Sequence, residues 1–104
     1  MDIGDAQQRV AAFITAEGIE TSAPYRTLDL VSEIGEIAKE ILVTTDYGGQ
    51  SEPDIPADEL GDVLFATLAL CERVNVDAEE ALGTALEKYN DRVAEGDGPG
   101  SGAN

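Results

Sequence analysis

Leu30-Val31-Ser32-Glu33-Ile34-Gly35-Glu36-Ile37-Ala38-Lys39-Glu40-Ile41 carries the periodicity that decides the fold. Leu30, Val31, Ile34, Ile37, Ala38 and Ile41 recur at the i, i+3, i+4, i+7 spacing of one amphipathic helix. With Glu33 set to zero on the helical wheel, Glu36 falls at about 300°, Asp29 near 320° and Glu40 at about 340°. The apolar face centres near 90°, with Ile37 at about 40° bordering the acids. The acidic stripe therefore runs along the edge of the buried face, within reach of a facing helix.

Upstream, Ser22 is a plausible N-cap with Pro24 in the first turn. Downstream, Tyr47-Gly48-Gly49 breaks the helix, and Gln50 to Ile55 reads as a loop. Pro56 opens a third helix whose first turn, Ala57-Asp58-Glu59, suits the positive end of the helix dipole. From Val63 to Cys71 that helix is apolar on nearly every side, the pattern of an element buried all round. Four short helices barely cover it, so a partner subunit is its natural cover.

Towards the N-terminus, Val10, Phe13 and Ile14 mark a first helix that Gly18 stops. Beyond the third helix, Asp77 and Glu80 form an acidic cap, and a fourth helix buries Ala81, Leu82, Ala85, Leu86, Tyr89 and Val93. The expectation is an all-α, four-helix bundle-like, oligomeric domain over residues 1–94, with helices near 4–17, 23–45, 56–74 and 77–94. The glycine-rich stretch 95–104 has nothing to pack and is expected to be a disordered tail.

A net charge of −16 on 104 residues is extreme. Such a surface repels nucleic-acid backbones and anionic membranes, so neither is an expected partner. At molar salt the screening length falls to about 3 Å and the self-repulsion becomes tolerable, which points to a halophilic, salt-rich cytoplasm. Cys71 stands alone inside the apolar run and is read as core filler. No histidine is present to act as a base. The opening residues lack a basic stretch followed by an apolar one, so a cytoplasmic location is expected.

Glu59 and Asp62 share one side of the third helix, again at i and i+3. Two helices that each present such a pair place four carboxylates around one volume. Burying one ionised carboxylate costs several kcal/mol, and like charges add to it. A divalent cation removes the conflict, and oxygen donors without His or Cys select Mg²⁺ or Mn²⁺ over zinc. The alternative is four solvated acids in a very acidic protein. A carboxylate-held magnesium usually serves phosphates. Lys88 and Arg92, neighbours at i, i+4 on the fourth helix, are the candidates to grip them.

The motif Leu30-Val31-Ser32-Glu33-Ile34-Gly35-Glu36-Ile37-Ala38, followed by Glu59-Leu60-Gly61-Asp62-Val63-Leu64-Phe65, closely resembles the MazG-like all-α nucleoside triphosphate pyrophosphohydrolases. That family's signature is E-E-x-x-E and then E-x-x-D. Glu33 and Glu36 match its second and third glutamates, and Glu59 and Asp62 match the E-x-x-D. Asn75-Val76-Asp77 and Lys88-Tyr89-Asn90-Asp91-Arg92 resemble its closing segment. The resemblance implies a homodimer or homotetramer with magnesium held by Glu33, Glu36, Glu59 and Asp62. It implies cleavage of a nucleotide substrate to the monophosphate and pyrophosphate, with Lys88 and Arg92 on the substrate phosphates. It assigns no catalytic residue beyond the metal ligands. Ser32 stands where the signature has its first glutamate, and Ala85 where many relatives carry a lysine. Sibling activities on dUTP or phosphoribosyl-ATP, and a non-catalytic oligomeric helical module, remain the alternatives at this stage.

Overall fold

The structure is a computed structural model that describes residues 1–49 and 52–96. Four helices run in order: α1 (Ile3–Glu17), α2 (Ala23–Thr44), α3 (Ala57–Arg73) and α4 (Ala78–Ala94). Their ends follow local chemistry. The Asp2 carboxylate accepts the Asp5 N–H at 2.8 Å to cap α1, and Gly18 closes it in the left-handed region at φ 66°. Ser22 occupies the N-cap of α2 without a side-chain capping bond, and Pro24 fills the first turn. Three successive left-handed residues, Asp46, Tyr47 and Gly48, stop the chain from continuing α2. Asp77 caps α4 by accepting the Glu80 N–H at 3.1 Å. The expected tail falls mostly on 97–104, which lie outside the described residues, as do Gln50 and Ser51 of the expected loop.

α2 and α3 form an antiparallel hairpin, closed where the Asp54 N–H donates to Thr44 Oγ1 at 3.1 Å. α1 lies against α3, with Phe13 edge-on to Phe65 at 5.9 Å between ring centroids. α4 packs on α1 rather than on α2. Its start is pinned there by the Ala78 N–H donating to Gln7 Oε1 and by Gln7 Nε2 donating to the Val76 carbonyl, both at 2.8 Å.

Within one chain the core is thin. The buried apolar residues are Ile14, Ala66, Ala69 and Ala78. The apolar run of α3 is therefore not covered all round: Leu64 is 61% exposed, and Leu60 lies open beside it. The side of α2 turned inward also differs from the expected one. Buried or half-buried positions are Arg26, Leu30, Glu33, Ile37, Glu40 and Thr44, which centre near about 20° on the same wheel. Val31, Ile34 and Leu42 are exposed. The difference has a plain cause: hydrophobic periodicity reports every surface to be covered, not which neighbour covers it. On α4 the residues expected to be buried, Leu82, Leu86, Tyr89 and Val93, form one exposed stripe.

Candidate active site

Turning α2 by about 70° relative to its apolar stripe brings the acids to the hairpin seam. Glu33 is half-buried and, with Asp29, Asp62, Arg26 and Phe65, lines a hollow of about 240 Å³ between the two helices. Glu36 and Glu40 follow along α2, the first exposed and the second half-buried. Across the seam Glu59 is half-buried, and its Oε2 is sealed from solvent without a hydrogen-bond donor. Burial raises the Glu59 pKa above the ordinary carboxyl value, and the charges of Glu40, Glu36, Asp58 and Asp62 raise it further.

The structure thus brings Glu36 and Asp62 within electrostatic reach of Glu59 and sets Glu33 beside Asp62 in one hollow. It does not draw them into a closed cage: among the described residues no three acids converge closely enough to hold a metal ion. The donor chemistry nonetheless fits a hard cation, since Glu33, Glu36, Glu59 and Asp62 offer only carboxylate oxygens and one of these is buried without a partner.

Two residues at the seam were not assigned from the sequence. Glu40 is the charged neighbour that acts most strongly on Glu59, although only its place in the acidic stripe singled it out. Arg26 is 6% exposed. Its guanidinium donates from Nη2 to the Ile19 carbonyl at 2.6 Å and lies 3.7 Å from Asp29. The signal for Arg26 was its register, because it lies seven residues before Glu33 and so on nearly the same face.

Lys88 and Arg92 lie on α4, so the helix that carries them packs on α1 and not on the acid-bearing α2. Both stack on Tyr89: the Lys88 ammonium is 4.8 Å and the Arg92 guanidinium 5.8 Å from the ring centroid. Among the described aromatic residues, Phe13, Tyr25, Tyr47 and Tyr89 are exposed. No helix among the described residues is long and apolar enough to cross a membrane.

Residues 24–95 match the family model described as the MazG nucleotide pyrophosphohydrolase domain. No curated protein and no solved structure matches the chain. The matched span begins in the first turn of α2, ends just after α4 and takes in all four signature acids. The chain belongs to the MazG nucleotide pyrophosphohydrolase domain family.

Proposed function

We propose that the protein is a magnesium-dependent nucleoside triphosphate pyrophosphohydrolase that converts an NTP or dNTP to the monophosphate and pyrophosphate. The observation that carries this reading is the Glu59 carboxylate, held at the α2–α3 seam with one oxygen buried and unpartnered among four other acids. A protein does not normally keep such a group without a cation to satisfy it.

Glu33, Glu36, Glu59 and Asp62 would hold Mg²⁺, with Mn²⁺ as a substitute of the same coordination preference. The cation supplies charge neutralisation on phosphate oxygens and acidifies water for attack on phosphorus. The chain's own groups do the rest. The carboxylates fix the place where phosphate binds, and Arg26 ties the α1–α2 link to the head of the hairpin. Lys88 and Arg92 meet the substrate phosphates from α4. Exposed apolar strips on α2, α3 and α4 favour assembly as a homodimer or homotetramer. The acidic surface suits a salt-rich cytoplasm and leaves no patch for nucleic acid or an anionic membrane.

The test is incubation of the purified protein with ribo- and deoxynucleoside triphosphates in high salt, with and without Mg²⁺. Magnesium-dependent pyrophosphate release is the expected result. The rival reading, a non-catalytic oligomeric module, draws on the acids that do not close into a cage and on Ser32. Nucleotide binding or oligomerisation without any pyrophosphate release would decide for it. dUTP and phosphoribosyl-ATP belong in the substrate panel as the sibling activities.

A further inference from the structure

Arg26 is the one basic side chain on the wall of the acid-lined hollow, which it shares with Asp29, Glu33 and Asp62. Six basic residues stand against 22 acids in this chain, and Arg26 alone among the six is buried, at 6% exposure. Its partners within the fold balance little of that charge. Nη2 donates to the Ile19 carbonyl at 2.6 Å, a neutral acceptor. Nη1 lies 3.7 Å from Asp29 Oδ2, too far for a hydrogen bond, and the Asp29 side chain is 62% exposed, where water screens the pair.

The remaining donors face open space. Nε and Nη1 have no hydrogen-bond acceptor among the described residues. The sealed polar side-chain atom without a partner is Glu59 Oε2, so neither nitrogen of Arg26 is shut off from solvent. Nη1 turns towards Asp29, which lines the acid hollow and not the neighbouring one against α1.

Charge makes the same point. Taking a cation out of water costs several kcal/mol unless something negative meets it. One backbone carbonyl is served as well by a neutral amide, so stapling the α1–α2 link does not require a guanidinium. The acids opposite do not complete the pairing either. Among the described residues Arg26 pairs only with Asp29, although Glu33 and Asp62 line the same hollow. A hollow with a guanidinium on one wall and carboxylates on another suits an anion that brings its own cation, as a phosphate chain with a divalent ion does.

We propose that Arg26 binds a phosphate group of the nucleotide, with Nη1 as the donor that faces the acid hollow. The inference rests on the reading of the acids as the phosphate end of the site, and it adds a cation that neither acidic motif contains. Lys88 and Arg92 sit on α4, which packs on α1, so Arg26 is the cation that the α2–α3 hairpin itself supplies.

Inorganic pyrophosphate titrated calorimetrically into the full chain, in high salt with Mg²⁺, tests this without turnover. Arg26→Gln keeps an amide donor for the Ile19 carbonyl and removes the charge. Its pyrophosphate affinity should fall about 10- to 150-fold, the loss of one charge-assisted contact. Mg²⁺ alone should bind it at least as tightly as it binds the parent, because a positive charge has left the neighbourhood of the carboxylates. If Arg26→Gln does not fold, Arg26→Lys decides. A single nitrogen must then serve both the carbonyl and the phosphate, so pyrophosphate binding should still weaken several-fold. Parent-like pyrophosphate affinity in the folded variant overturns the inference. Equal losses of Mg²⁺ and pyrophosphate binding also overturn it, since Arg26 would then act only through the fold. In both cases hydrolysis of a nucleoside triphosphate by the parent keeps the pyrophosphohydrolase reading. A parent that neither binds pyrophosphate nor releases it from any nucleotide sinks both readings together.

Discussion

Glu59 concentrates the conflict of the site in one side chain, and its titration makes that measurable. Its folded pKa lies above the ordinary 4.5, so the native state holds a proton more tightly than the unfolded chain does. Stability therefore falls as pH rises from that ordinary value through the raised one, and the loss is complete above it. In a chelator, Glu59→Gln should flatten this decline and leave the variant more stable than the parent at neutral pH. Urea midpoints across the acid-to-neutral range check this, and parallel curves for the two proteins would refute it. Asp62→Asn keeps the size of the side chain and removes a charged oxygen. Mg²⁺ affinity and turnover should collapse while the metal-free fold survives, and a variant as fast as the parent would rule out the four-acid site. Lys88→Ala separates enzyme from scaffold. Loss of one charge-assisted phosphate contact lowers kcat/KM by about 10- to 150-fold, whereas loss of a surface cation alone costs at most about 1 kcal/mol of stability. The acids were legible as residues because i, i+3 spacing places them on one face whatever the tertiary fold. For Arg26 register gave only the face, and its burial was not legible, because that depends on the Ile19 carbonyl arriving from the α1–α2 link.

At the level of elements, the helices lie within one residue of the expected bounds. Caps and breakers act locally: Asp77 and Gly18 do their work through atoms at most five residues away. The orientation of each helix is another matter. α2 presents its acidic edge to α3 and leaves Val31, Ile34 and Leu42 outward, while α3 leaves Leu60 and Leu64 outward. These exposed apolar side chains, with Leu64 beside the α1 residues Ile3 and Val10, offer area for a second copy to cover. Each Leu that such contact buries contributes about 1.5–3 kcal/mol. Leu64→Glu places a charge among these side chains, so the expected outcome is a monomer. Light scattering in molar salt reads it, and a variant of unchanged mass would remove this surface from the interface.

The whole molecule is governed by its charge of −16. Among the six basic residues, Arg26 is spent inside the fold and Arg73 on a backbone carbonyl. Little is left to offset the surface acids, so assembly of like copies must overcome mutual repulsion. Salt shortens the range of that repulsion from about 10 Å at 0.1 M to about 3 Å at 1 M. The melting temperature and the oligomer mass should therefore rise together as potassium chloride is raised into the molar range. A folded, monodisperse monomer under those conditions would sink the oligomer, and a melting temperature that fell with salt would sink the halophilic reading.

The sequence by itself determined what depends on near neighbours along the chain. Four helices, their ends and the two acid pairs were legible from spacing and local capping, and the family from the resemblance of the two acidic motifs. The tertiary structure decided what depends on rotation about a helix axis. It chose which edge of α2 meets α3, left the Glu59 oxygen without a donor and placed the Lys88–Arg92 pair on a helix that packs against α1. Periodicity could not supply these choices. An amphipathic wheel with apolar residues spread from about 40° to 180° can be turned in several ways against one small neighbour. Only the packing of Ala66, Ala69 and Phe65 against the seam selects the turn that brings carboxylates, rather than leucines, face to face.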